Sequence, residues 1–359
     1  MGRDAWMRIL HLLNHCNHGH GNAHVAVDLA TVQAAGGHDV TYASAGGDYE
    51  PLLKSSGVRI AAVVLKPLNP ARATIAIYRL LRVCRQVRPQ VIHAHMMAGA
   101  LVGYVVSRLT GIPLVTTVHN SFDWHSTLMR LGDRIVAVSQ AERRALETRG
   151  FPTARLRVVL NGPNLSPRDQ QERAGAPAPA ISLPCITTVC GLHPRKGVLD
   201  LLRGFAQASA QQPGWTLYII GDGPDRDQLC AQARELLPAD AVVFAGNVAN
   251  PKRVLDESDI FVLASYADPC SLAVAEARYA GCAVIATAVG GTPELLGQGE
   301  HGLLVAPGRP DEIADALLRL MSDPDELRVW RDRAGKDARY LTIARVCEDY
   351  QRVYDEIVL

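Results

Sequence analysis

The sequence predicts an α/β chain of two domains, each an open, doubly wound parallel sheet with helices on both faces. Three observations predict it. Short β-branched apolar runs alternate with glycine-containing turns and amphipathic segments, the rhythm of parallel strands joined by helical crossovers. That rhythm breaks once, in a stretch rich in Pro, Ala and charged residues, and then restarts. The chain has 359 residues, more than one ordinary core encloses. Both halves are therefore expected to be Rossmann-like. Ligands of such sheets bind beyond the carboxyl ends of the strands, so two facing domains imply a central cleft.

Taken in order, residues 7–13 read as a strand, and residues 24–35 as a helix ended by Gly36-Gly37. Residues 40–43 and 91–93 are strands, residues 98–109 a helix, and residues 113–118 and 134–138 strands. These make an N-terminal domain over residues 1–165. After Asn161-Gly162 the pattern dissolves, and residues 166–184 are expected to be an interdomain linker. The second domain, residues 185–338, begins with the apolar run 185–190. Helices are expected at 199–210, 229–236, 272–280 and 310–321, with strands at 216–220, 242–245, 260–263, 283–286 and 302–305. Residues 339–357 read as a last helix with no strand after it. The segment 339–359 is expected to pack back on the first domain. No repeat of solenoid period is present.

Composition narrows the class of function. Lys+Arg of 37 against Asp+Glu of 36 leaves a net charge of +1, so no global field draws the chain to nucleic acid. An apolar share of 48% with 20% charged residues is that of a globular protein. The longest apolar stretch, residues 99–118, is broken by Arg108 and Thr110 and falls short of a membrane span. Residues 1–6 show no apolar secretion core, and Trp6 stands where a myristoylation motif after Gly2 needs Ser or Thr. Eight cysteines without a C-x-x-C pair fit reduced thiols and a cytoplasmic location.

Two segments carry the chemistry. In Cys190-Gly-Leu-His-Pro-Arg-Lys-Gly197 an apolar strand ends in a turn that displays Arg195 and Lys196 just before a helix. A bidentate guanidinium and an ammonium beside open helix N–H groups form a site for a diphosphate. The bland alternative is a solvated basic turn. Downstream, Asp268-Pro-Cys-Ser-Leu-Ala-Val-Ala-Glu276 presents two carboxylates, good acceptors for sugar hydroxyls. Here the bland readings are Asp268 as a helix N-cap with Pro269 at N1, and Glu276 as a solvated helix residue. Together the segments point to a nucleotide-sugar site.

The run Ser265-x-x-Asp268-x-x-Ser271-x-x-x-x-Glu276-Ala277, with Ala280-Gly281, Val289-Gly-Gly-Thr-Pro-Glu294 and Gly302-Leu-Leu-Val, resembles the C-terminal signature of retaining GT-B glycosyltransferases of family four (glycosyl transferases group 1). Asn161-Gly162, Val136-Ala-Val-Ser139, His93-Ala-His95, His119 and Gly21 match in order, so the resemblance covers nearly the whole chain. It implies that Arg195 and Lys196 hold the donor diphosphate. Asp268, first acid of an E-x7-E motif, binds donor-sugar hydroxyls with the backbone N–H groups of Cys270, Ser271 and Leu272. Glu276 accepts bonds from the nucleotide ribose. Gly21 lets a first-domain loop approach the phosphates, and His119 faces the transferred sugar. Asp268, His119, Arg195 and Lys196 are thus the expected catalytic set. The sequence departs from the family at Asp268, one methylene shorter than Glu, at Pro269 and Cys270, and at Gly191 where the family tends to place Arg.

The same resemblance implies a UDP-sugar donor, an acceptor hydroxyl, retention of anomeric configuration and no bound metal or other cofactor. Its products would be glycans, lipopolysaccharide or glycosylated natural products. The alternatives are a nucleotide-sugar epimerase of the same fold and a catalytically silent nucleotide-sugar-binding subunit. His11, His15, His18, His20 and His24 crowd the first strand and loop beside Cys16, yet their spacing follows no closed zinc pattern. Loop histidines lining an acceptor pocket, or simply polar, account for them better. Arg79, Arg82, Arg85 and Arg88 recur every third residue and drift around a helix, which favours a solvated surface over an anionic membrane. A peripheral contact with the inner membrane is the partner they would serve. Ser139 with Glu142 reads as a capping box, and Thr292 as a cap before Pro293.

Overall fold

The computed structural model of the chain describes residues 6–65, 69–174, 181–248 and 250–358. These form two compact units. Met1–Arg168 with Thr342–Leu359 make the first, and Asp169–Leu341 the second.

The first unit is a seven-stranded parallel sheet in the order β3-β2-β1-β4-β5-β6-β7. Its strands are β1 (Arg8–Leu12), β2 (Asp39–Ser44), β3 (Arg59–Ala62), β4 (Val91–Ala94), β5 (Leu114–Val118), β6 (Arg134–Ala137) and β7 (Leu156–Val158). Ile9 pairs with Val40 on one side and Val91 on the other, so β1 is flanked on both edges. Leu10, Leu12, Ile92, Ala94, Leu114 and Ile135 are fully buried on one face of this sheet. Central strands enclosed in this way need continuous apolar runs, which is why they were readable. The edge strand β3 and the three-residue β7 lack such runs and pass unnoticed in the sequence.

The second unit repeats the plan with six parallel strands in the order β10-β9-β8-β11-β12-β13. They are β8 (Cys185–Val189), β9 (Thr216–Ile220), β10 (Val242–Gly246), β11 (Ile260–Leu263), β12 (Ala283–Thr287) and β13 (Leu303–Val305). Leu201 and Phe205 of the helix Val198–Ser209 pack with Ile313 and Leu317 of the helix Pro310–Ser322 over Ile186, Leu217, Ile260 and Ile285. In each sheet the chain starts at the centre, runs to one edge, and returns to build the other. The strand pairs β1/β4 and β8/β11 are therefore topological switch points, where the connections leave in opposite directions and open a crevice at the carboxyl ends.

Two expectations need correction. The segment 166–184, read as a linker, carries the helix Pro167–Ala174, and residues 175–180 lie outside the described residues. Consecutive residues of that helix serve different units. The Arg168 guanidinium donates to the Asp28 carboxylate in the first unit (2.8 and 3.0 Å), and Asp169 meets a lysine of the second. The helix read over 339–357 is likewise interrupted. A 3-10 turn, Ala338–Leu341, precedes the helix Ile343–Asp355, because Thr342 is extended and bridges to Asn164. The final helix then lays Val346, Tyr350, Val353 and Tyr354 against Ile9, Val115 and Val136 of the first unit. Among the described residues no helix is long and apolar enough to cross a membrane.

Candidate functional site

The turn after β8 and the loop after β11 meet at the second switch point. Pro194–Lys196 form one 3-10 turn, and Gly197 follows at φ +63° before the helix Val198–Ser209. Only glycine fits there, because a Cβ on residue 197 would stand 2.0 Å from the Ala264 carbonyl oxygen. Tyr266 locks the approach. Its N–H donates to the Arg195 carbonyl (2.8 Å) and its hydroxyl donates to the Asp200 carboxylate (2.5 Å). That bond to a carboxylate pushes the tyrosine pKa up to about 12.

The clamp places Lys196 Nζ 2.6 Å from Asp268 Oδ2, with both side chains largely buried. Arg195, beside it, is exposed and donates to the Ala267 carbonyl (3.4 Å). Behind Asp268 the backbone of Gly290 comes so close that a Cβ would lie 1.8 Å from the Asp268 carbonyl oxygen. The Gly291 N–H donates to the Pro269 carbonyl (2.9 Å). Asp268 is therefore pinned from two sides. It does not cap the next helix, Leu272–Ala280. Ser271 does, accepting from the Val274 N–H (3.4 Å), so the N-cap reading of Asp268 is replaced. Cys270 and Ser271 are buried beside it.

Glu276, on the second turn of that helix, is not a solvated residue. It is buried, with Oε1 3.4 Å from Lys252 Nζ. Lys252 also lies 3.1 Å from Asp169 Oδ1, and its side chain is 1% exposed. One buried ammonium thus stands between two carboxylates. Sequence reasoning missed it, although a signal existed. Lys252 sits in the first turn of the helix Pro251–Glu257, where the macrodipole disfavours a cation.

His119 and Gly21 belong to the first unit. Gly21 is the exposed first residue of the helix Gly21–Ala35, which no side chain caps. His119 follows β5, and its Nε2 lies 3.2 Å from His95 Nδ1. His95 Nε2 is in turn 3.0 Å from His11 Nδ1. The crowded N-terminal histidines do not converge. His11 is inside the sheet, His15 lies tilted against His20, and His18 and His24 lie against Tyr49. His11, His93 and His95 instead bring ring nitrogens within 4.8 Å of one another. All six of those nitrogens already have hydrogen-bond partners. Ser139 caps its helix by accepting from the Glu142 N–H (3.0 Å), whereas Thr292 does not cap, since Gly291 holds that position.

The family models bear directly on this geometry. Residues 20–166 match Glycosyltransferase Family 4 and residues 181–337 match Glycosyl transferases group 1. The chain belongs to the GT-B glycosyltransferases of family four. The glycogen synthase of Mycobacterium tuberculosis is 28% identical over 88% of this chain and 87% of its own. The D-inositol 3-phosphate glycosyltransferase of Rhodococcus erythropolis is 30% identical over 69% of this chain and 63% of its own. Among solved structures, Anabaena HepE in complex with UDP and glucose superposes with a TM-score of 0.81 at 20% identity, over 98% of this chain and 100% of that one. Two parallel-sheet Rossmann-like units are the fold that this glycosyltransferase shares with it.

Two predictions follow from the buried ionisable groups of this glycosyltransferase. Replacing Lys252 by Met leaves Asp169 and Glu276 without their cation, and should cost the second unit about 3–5 kcal/mol. A chemical-denaturation midpoint equal to wild type would refute that. Burial lowers the pKa of His11 to about 4 and those of His93 and His95 well below 6.5. The unfolded chain takes up these protons near pH 6.5, so it binds more protons than the folded one below that point. Stability is therefore complete above pH 6.5 and drains as pH falls toward 4, by about 1.4 kcal/mol per histidine per unit. Thermal midpoints that are flat across that window would contradict the account.

Proposed function

We propose that this glycosyltransferase takes its sugar from a UDP-sugar and passes it to an acceptor hydroxyl with retention of anomeric configuration. The observation that carries the reading is the Lys196–Asp268 pair at the carboxyl ends of β8 and β11. An ammonium has three protons, and Asp268 takes one. The others, with the Arg195 guanidinium and the uncapped N-terminus of the helix Val198–Ser209, suit a diphosphate whose negative charge grows as the sugar leaves. Asp268 keeps acceptor capacity for sugar hydroxyls, beside the backbone of Cys270, Ser271 and Leu272. Glu276 receives ribose hydroxyls, with Lys252 holding its carboxylate in place.

In the proposed chemistry the bond from the anomeric carbon to the phosphate oxygen lengthens first. The acceptor hydroxyl then approaches on the face that the diphosphate is leaving, and a phosphate oxygen takes its proton. No enzymatic base or covalent nucleophile is needed, and the reaction works without a bound metal. The family resemblance assigns Gly21 to the phosphates and His119 to the transferred sugar. The donor assignment is supported by HepE, which was solved with UDP and with UDP-glucose. The protein is proposed to be cytoplasmic. Arg79, Arg82, Arg85 and Arg88 are all exposed, in keeping with a solvated surface.

A UDP-sugar identified by thermal-shift screening provides the test. The double substitution Arg195→Ala, Lys196→Ala should weaken its binding about a hundredfold or more, as expected for loss of two charge-assisted contacts. The product from an α-linked donor should be α-linked by proton NMR. Unchanged affinity would remove the phosphate assignment, and an inverted product would remove retention.

A further inference from the structure

Gln33, His11, His95 and His119 stand in single file through the interior of the first unit. Gln33 Oε1 lies 2.8 Å from His11 Nε2, His11 Nδ1 3.0 Å from His95 Nε2, and His95 Nδ1 3.2 Å from His119 Nε2. Behind Gln33 the file continues. Its amide N–H donates to the Tyr354 oxygen (3.5 Å), Tyr354 Oη is 2.8 Å from His93 Nδ1, and His93 Nε2 is 2.7 Å from Thr117 Oγ1. Thr117 Oγ1 ends the file 2.9 Å from Tyr350 Oη. His11, Gln33, His93, His95, Thr117 and both tyrosines are buried.

A neutral imidazole has one N–H and one lone pair, so a direction set at one link passes to the next. The Gln33 carbonyl oxygen can only accept. His11 therefore donates from Nε2, and its Nδ1 accepts. His95 must donate to it from Nε2, and His119 must donate from Nε2 to His95 Nδ1. His119 Nδ1 is left as a bare lone pair, and no described residue bonds to it. The other half agrees. With the amide N–H given to Tyr354, the tyrosine proton goes to His93 Nδ1, the His93 Nε2–H to Thr117, and the Thr117 proton to Tyr350. No link sets two donors or two acceptors against each other. Burial keeps the file free of imidazolium, which would reverse it; His11 and His119 are lowered to about 4, and His93 and His95 well below 6.5.

We propose that Gln33 is a positioning residue which, through His11 and His95, holds His119 in its Nε2–H tautomer and presents His119 Nδ1 as an acceptor for a hydroxyl of the transferred sugar. This rests on the reading of His119 as a sugar contact. It adds a rule of specificity. At that position the site takes a group that donates a proton, and disfavours one that only accepts, such as a carboxylate.

The test labels histidine with 15N and reads the tautomers of the intact protein by long-range proton–nitrogen correlation at neutral pH. His11, His93, His95 and His119 should all be neutral Nε2–H forms, and a saturating UDP-sugar should move the His119 Nδ1 signal. In Gln33→Leu the His119 signals should average between tautomers. Its kcat should fall about tenfold, the worth of one aligned hydrogen bond, with little change in donor KM. An Nδ1–H or protonated His119 in the unaltered protein overturns the relay whatever the activity. If the tautomers are as stated but His119→Ala keeps full turnover, the sugar contact is what fails, and the positioning role goes with it.

Discussion

The candidate site of the second unit depends on one close approach of backbone to backbone. The turn that ends β8 can rest against the strand end of β11 only because residue 197 has no Cβ to strike the Ala264 carbonyl. The Tyr266 bonds to Arg195 and Asp200 then hold the two loops together. Everything that makes the site chemically useful follows from that distance. It sets an ammonium against a carboxylate, places both at a switch point of the sheet, and leaves a helix N-terminus uncapped beside them. The same logic operates at Gly290, which lets a second loop brace Asp268 from behind.

The buried charges share an economy of position. Lys196 with Asp268, and Lys252 with Asp169 and Glu276, are pairs taken largely out of water. Such pairs stabilise a fold weakly, because desolvation offsets most of the attraction. Their better account is orientation. A carboxylate beside a fixed cation has few conformations left and keeps lone pairs available for hydroxyl groups. These three buried contacts suit the proposed role of holding sugar and ribose hydroxyls, and neutral hydrogen bonds would fix the carboxylates less rigidly.

How much could be read beforehand follows from which forces leave local traces. Central strands such as β1, β8 and β11 are apolar without interruption because both faces are covered, and they stood out. Lys196 and Asp268 stood out because a strand, a turn and a helix start lie within a few residues of each. The helix Pro167–Ala174 did not, since it is polar and lies in a Pro- and Ala-rich stretch that reads as linker. Lys252 was passed over because its partners are 83 positions earlier and 24 later, at Asp169 and Glu276. The histidine file was hidden more deeply. Its members come from β1, β4 and β5, from just beyond β4 and β5, from the helix Gly21–Ala35 and from the helix Ile343–Asp355, so only the folded sheet brings them into line. The interruption at Thr342 was invisible for a similar reason, being imposed by pairing with Asn164.

The proposed division of labour gives phosphate to the Lys196 ammonium and sugar to the Asp268 carboxylate. Calorimetric titration of Asp268→Ala with UDP and with the UDP-sugar separates the two contributions. The account predicts that UDP binds the variant within a few-fold of wild type, while the extra affinity that the sugar gives is lost. A variant that keeps the wild-type preference for UDP-sugar over UDP would contradict it.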